Sequence, residues 1–184
     1  MKKIDYNIEY SIKLPPANDR LVNRTTLFKK ALFELKIQPN DKILEIGCDK
    51  GNFVAFLQKK FNAKNIFGID LNKEAISLSK ANNLFVMDAT KTSFPNNSFD
   101  KIYSFHVIEH IPNLIEFFKE LDRILAPNGM VVLGYPWELF RGMSSLRQAI
   151  KAYGDPFMAR KLHIHKLNPK KIKKYIQGTS LKHK

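Results

Sequence analysis

The chain has 184 residues, enough for one domain with a substantial core, and its 44% hydrophobic content is ordinary for a globular protein. No stretch approaches the roughly 18 uninterrupted apolar residues of a membrane span, and the single cysteine, Cys48, excludes an internal disulfide framework and a cysteine-rich zinc module. The net charge of +14 keeps anionic partners in view.

The N-terminal Met1-Lys-Lys-Ile-Asp-Tyr6 has no apolar run, so no signal peptide is expected and the expected location is cytoplasmic. Residues 1–22 are mixed, and Pro15-Pro16 blocks a helix there. A helix is predicted from about Arg24 to Lys36, with Leu27, Phe28, Ala31, Leu32 and Leu35 on one face, and Gln38-Pro-Asn-Asp41 stops it. Elements then alternate. Strands are predicted at about 42–46, 65–69, 84–87, 99–105 and 130–135. Helices fall between them at about 51–61, 73–82 and 113–125, with an irregular stretch at 89–98. The helix at 113–125 has the clearest 3.6-residue period, through Leu114, Phe117, Phe118, Leu121, Ile124 and Leu125.

Strand–helix alternation predicts an α/β fold: a Rossmann-like, doubly wound, mainly parallel sheet with helices on both faces. Ligands of such sheets bind beyond the carboxyl ends of the strands, and Glu45, Asp70 and Asp88 fall at those ends. After Pro136 the pattern weakens, with Trp137, Phe140 and Phe157 among scattered arginines. Asn168-Pro169 is a helix start that runs to about Gln177, and Gly178 ends it. No acid follows Asp155, whereas nine lysines and arginines do. This basic segment reads first as a solvated helix face, and second as a footprint for RNA or another polyanion.

The stretch Lys42-Ile-Leu-Glu-Ile-Gly-Cys-Asp-Lys-Gly-Asn-Phe53 joins an apolar strand to a helix through a glycine turn. A dinucleotide site needs glycines where Asp49 and Asn52 stand, and the phosphate-binding G-x-x-x-x-G-K-[ST] pattern has no match. What remains is Glu45-x-Gly47-x-x-x-Gly51, with acids and no cationic phosphate clamp. Glu45 and Asp49 would repel a pyrophosphate and favour positive charge. S-adenosylmethionine carries a sulfonium, an α-ammonium, a ribose diol and an adenine, without phosphate. Its carboxylate can use the helix N-terminus near Gly51.

Here residues 40–135 resemble the class I S-adenosylmethionine-dependent methyltransferases, in particular the small type-11 group. Leu44-Glu-Ile-Gly-Cys-Asp-Lys-Gly51 resembles the glycine loop, Gly68-Ile-Asp-Leu71 the ribose site and Val86-Met-Asp-Ala89 the adenine site. Phe94 to His110 resembles the fourth strand and the segment after it, and Leu125 to Leu133 the approach to strand five. Five pieces at matching spacing are far more specific than one glycine loop. The resemblance implies one methyltransferase domain over 1–184. Its parts would be an N-terminal helical cap (1–40), a cofactor-binding core (41–135), and a substrate-side segment with a basic C-terminal helix (136–184).

It also implies roles. Gly47 and Gly51 would supply turn geometry and close backbone approach, with Cys48 small and unreactive between them. Glu45 or Asp49 would hold the α-ammonium, against plain surface charge for Asp49. Asp70 would accept both ribose hydroxyls, and Leu71 would pack on the adenine. Asp88 would accept from the adenine amino group beside the Ala89 N–H, with a turn role as the competing reading. Phe105 and His106 would line the methyl end, His106 being the catalytic candidate where an acceptor must lose a proton. Glu109 and His110 read as helix-entry residues beside Pro112, and His163-x-His165 alone is too little for a metal. No metal site is expected.

The implied reaction is in-line methyl transfer. The chain lacks the Asn/Asp-Pro-Pro-Tyr/Phe signature of nucleic-acid amino methylation and the Pro-Cys pair of cytosine C5 methylation. A small-molecule acceptor, anionic ones included, is therefore expected. An RNA or polyanion methyltransferase and a non-catalytic cofactor-binding subunit are the alternatives. The chain departs from the family at Asp49, where the loop's second glycine would stand; aspartate tolerates left-handed backbone. It departs again after Gly178, where six residues are too few for the usual two further strands. Strand five could then expose an edge, which a partner chain, and so an oligomer, or the 137–165 segment could cover.

Overall fold

The computed structural model describes residues 33–61, 64–135, 150–151, 154–155, 157 and 163–183. Five strands form one sheet: β1 (Ile43–Ile46), β2 (Ile66–Asp70), β3 (Leu84–Val86), β4 (Phe99–Phe105) and β5 (Leu125–Gly134). Their order is β3-β2-β1-β4-β5, and every neighbouring pair is parallel. The helices are α1 (Asn52–Phe61), α2 (Lys73–Ser77), α3 (Leu114–Ile124) and α4 (Pro169–Tyr175). This is the predicted α/β, Rossmann-like architecture. The helix predicted from about Arg24 lies outside the described residues except for its end at 33–35. Among the described residues, no helix is long and apolar enough to cross a membrane.

Alternation along the strands divides the core into two layers. Leu44, Ile46, Ile69 and Ile102 pack with Phe117, Phe118, Leu121 and Ile124 of α3, and with Leu167 and Ile172 at α4. Ile43, Ile66 and Tyr103 point the other way, onto Leu35 and onto Phe53, Val54 and Leu57 of α1. β1 lies between two parallel neighbours, so all four of its residues are buried, Glu45 among them.

Three boundaries differ from the sequence reading. α2 ends at Ser77 rather than near 82, because the Ser79 hydroxyl accepts the Ala81 N–H and donates to the Lys50 carbonyl. Side-chain bonds of this kind compete with helix continuation. β5 begins at Leu125 rather than 130. Leu125 already pairs with Phe99, and Ala126–Gly129 form an irregularity before pairing resumes at Lys101 and Met130. α4 ends at Tyr175, and Gly178 turns the chain at φ 87°. Asparagine caps α2, α3 and α4 through the side chains of Asn72, Asn113 and Asn168.

The loop between β3 and β4 is tied to α3. The Glu120 carboxylate accepts the Thr92 N–H at 2.7 Å and the Thr92 hydroxyl at 2.6 Å. It also takes two N–H bonds from Arg123, at 2.8 and 2.7 Å. Arg123 reaches on to the Asn96 side chain at 2.9 Å. This bidentate pair fixes the far end of the loop that carries Asp88 and Ala89.

Candidate functional site

The turn after β1 is shaped by contacts that exclude side chains. The Gly47 and Cys48 amides both donate to the Ile69 carbonyl, at 2.8 and 3.0 Å, so the turn folds over the end of β2. A Cβ on Gly47 would stand 2.1 Å from Cγ2 of Val107, and the position has φ 75°. A Cβ on Gly51, at φ 65°, would meet Leu84 at 2.4 Å. Asp49 occupies left-handed backbone at φ 52°, the conformation that the absent second glycine would otherwise supply.

Asp70 ends β2 directly beneath this turn. Its Oδ2 accepts the Asp49 N–H and its Oδ1 the Asn72 N–H, both at 2.8 Å. Burial raises the Asp70 carboxyl above the usual aspartate range, partly offset by these backbone donors. A carboxylate offers about four acceptor positions, so capacity for a diol remains.

Glu45 is 4% exposed and accepts a hydrogen bond from the Tyr103 hydroxyl at 3.1 Å. The two residues are register partners on β1 and β4. Burial, with the Glu45 charge adding to it, pushes the Tyr103 phenol well above its ordinary range. Cys48 is buried and its thiol is raised far beyond the ordinary range, first by burial and then by the Glu45 and Asp70 charges.

Leu71 is half exposed beyond β2, as a residue facing a ligand would be. Asp88 is exposed, and its Oδ1 accepts both the N–H and the hydroxyl of Thr90 at 2.7 and 2.8 Å. One of its oxygens therefore does turn work. Ala89 packs partly buried against the α3 side of the core. Phe105 lies across Gly134 of β5, where a Cβ would come within 2.2 Å of its ring. His106 follows in left-handed backbone at φ 56° and donates its N–H to the Gly134 carbonyl at 2.8 Å. Strain of this kind outside glycine concentrates at functional sites.

The sequence-predicted residues thus gather at the carboxyl ends of β1, β2 and β4, with Asp88 and Ala89 just beyond β3. Asp49 is joined to Asp70 through its amide, while its carboxylate makes no part of that contact. Sequence reasoning missed Tyr103, because only the β1–β4 register brings it to Glu45. It missed Asn72, whose amide orients Asp70 while its side chain caps α2. Val107 and Leu84 were missed as well, since the glycines they press on lie dozens of positions away.

The arrangement fits a phosphate-free, positively charged nucleoside. The glycine positions leave no room for side chains, a half-buried carboxylate with spare acceptor capacity ends β2, and a buried carboxylate, Glu45, stands one residue before the end of β1.

A family model described as a methyltransferase domain matches residues 17–183. Phosphoethanolamine N-methyltransferase 1 of Arabidopsis thaliana is 32% identical over 113 residues, covering 57% of this chain and 23% of the relative. The chloroplastic tocopherol O-methyltransferase of the same plant is 29% identical over 147 residues, covering 74% of this chain and 41% of the relative. The chain therefore spans less than half the length of either. Among solved structures, phosphoethanolamine N-methyltransferase 2 of Haemonchus contortus in complex with S-adenosyl-L-methionine superposes with a TM-score of 0.66 at 20% identity. That match covers 85% of this chain and 36% of the other.

Proposed function

Because the chain belongs to the S-adenosylmethionine-dependent methyltransferase family, we propose that it transfers a methyl group to a small-molecule acceptor. The observation that carries this reading is Asp70, a half-buried carboxylate clamped by the glycine-turn amide and the Asn72 amide at the tip of β2. The relatives named for phosphoethanolamine and tocopherol support an acceptor of small size.

Bound S-adenosylmethionine supplies an electrophilic methyl group on a sulfonium. Asp70 accepts from the ribose hydroxyls, and Glu45 and Asp49 favour the α-ammonium. Gly47, Cys48 and Gly51 let backbone approach the amino-acid end. Leu71, Asp88 and Ala89 hold the adenine. Phe105 and His106 face the methyl side and shape the space in which the acceptor aligns. Alignment and exclusion of water carry most of the catalysis; orientation can supply roughly 7–11 kcal/mol. Where the acceptor arrives protonated, His106 receives its proton, typically contributing about 10²–10⁴-fold.

The test is transfer of isotopically labelled methyl from S-adenosylmethionine to a panel of small hydroxyl, amine and phosphorylated acceptors. Turnover of at least one, with kcat reduced about 10²–10⁴-fold in His106→Ala, is expected for a proton-bearing acceptor. A protein that binds the donor and methylates RNA but no small molecule would overturn the acceptor class. Unchanged kcat in His106→Ala would remove the base from the account.

A further inference from the structure

Beyond the nucleoside site, one cluster of side chains has no part in the reading above. Glu109 sits on a 3₁₀ turn, Ile108–His110, just after β4. Its side chain is 1% exposed, and among the described residues neither carboxylate oxygen has a hydrogen-bond partner. A buried carboxylate without donors is costly unless positive charge stands beside it. Two imidazoles stand beside it. His110 Nε2 lies 3.9 Å from Glu109 Oε1, and His106 Nδ1 lies 3.5 Å from the same oxygen. His163 completes the group: one ligand atom each from Glu109, His110 and His163 lie within 4.8 Å of one another.

His163 comes from 53 positions downstream of His110, and the fold holds it there. The amides of Ile164 and His165 both donate to the Glu109 carbonyl, at 3.0 and 3.3 Å. The His165 ring bonds the Ile111 carbonyl at 2.9 Å, and Leu167 is buried in the core just beyond. The His110 and His163 rings meet edge to face with centroids 5.2 Å apart. Two imidazoles on one tetrahedral ion, with metal–nitrogen bonds of about 2.0–2.1 Å, place their ring centres at about that separation.

We propose that Glu109, His110 and His163 form a divalent transition-metal site just after β4, beside the glycine turn. One carboxylate oxygen and two imidazole nitrogens suit zinc, cobalt, iron or manganese better than magnesium or calcium. An ion with bonds of about 2.1 Å would draw its ligand atoms to roughly 3.0–3.5 Å from one another, a contraction within reach of side-chain rotation. Three protein ligands leave positions open, which is the pattern of a site that takes an exogenous ligand rather than a closed structural one. Val107, within the same segment, presses on Gly47, so the cluster adjoins the glycine turn. On the methyl-transfer reading, the open positions would receive an oxygen of the acceptor.

The test is titration of the metal-stripped protein with Zn²⁺ in competition with a chromophoric chelator, and with Co²⁺ followed by its visible absorption. Neither needs the methyl donor, so failure here is separable from failure of the methyl-transfer reading. One equivalent of Zn²⁺ is expected, with binding weakened about 100-fold or more in both Glu109→Gln and His163→Ala. S-adenosylhomocysteine affinity measured on the same variants reports whether they are folded. A folded wild type that takes up no Zn²⁺ and gives no Co²⁺ spectrum would overturn the site. So would equal affinity in wild type and both variants.

Discussion

Asp70 Oδ2 accepts the backbone N–H of Asp49 at 2.8 Å, so the carboxylate expected to bind ribose also holds the glycine turn in place. On the proposed reading, ligand recognition and loop geometry meet in one side chain. Burial raises the Asp70 carboxyl, and its charged form is the one the diol needs. Affinity for S-adenosylhomocysteine should therefore weaken on acidification from a higher pH than an ordinary aspartate, near 3.9, would give. The sign for stability is opposite: a raised acid is bound more tightly by its proton in the folded state, so protonating Asp70 favours folding. Calorimetric titrations from pH 8 to 5, beside thermal melts, would check both directions.

Gly47→Ala should destabilise the protein and weaken cofactor binding together. The new Cβ would collide with Val107 and sit at φ 75°, a conformation costing about 1–3 kcal/mol in a residue other than glycine. Trimming the neighbour in Gly47→Ala/Val107→Ala should recover part of the loss but not the backbone strain. Denaturant melts of the three proteins measure this; full recovery in the double variant would show that collision alone matters.

Cys48 should be inert. Its thiol is buried, and the flanking carboxylates disfavour the thiolate that reacts. Native protein incubated with iodoacetamide at pH 8 should stay unmodified by mass spectrometry, while denatured protein is labelled at Cys48.

Glu120 gives a pH effect on stability. Burial opposes its charge, but bonds from Arg123 and Thr92 win and hold its carboxyl below the usual range. A lowered acid stabilises the fold above its unfolded value, near 4.3, and that contribution disappears as pH falls through the folded value. Glu120→Gln should cost about 1–3 kcal/mol at pH 7 and progressively less below pH 4.5, read from urea melts.

The sheet was legible in the sequence because short apolar stretches alternate with helical patterns and with glycine or asparagine turns. The strand ends also marked where a ligand is expected, which is why Glu45, Asp70 and His106 were candidates from the sequence and stand at the ends of β1, β2 and β4. The pairing of Tyr103 with Glu45 was not legible, since it depends on the register of two strands 58 residues apart. Nor was the Glu109–His110–His163 group, because His163 lies 53 positions after His110 and the next two residues bond the Glu109 carbonyl through their backbone amides. The early end of α2 depended on a single hydroxyl, Ser79, one of whose partners, the Lys50 carbonyl, lies far away in the sequence.

The most direct measurement is calorimetric titration with S-adenosylhomocysteine of wild-type protein and Asp70→Ala. The account predicts one site of micromolar affinity in the wild type. It predicts a loss of about 100-fold or more in the variant, because charge-assisted hydrogen bonds contribute about 1.5–3 kcal/mol each and every 1.4 kcal/mol is tenfold. A folded wild type that binds no S-adenosylhomocysteine, or an Asp70→Ala protein that binds it equally well, would contradict it.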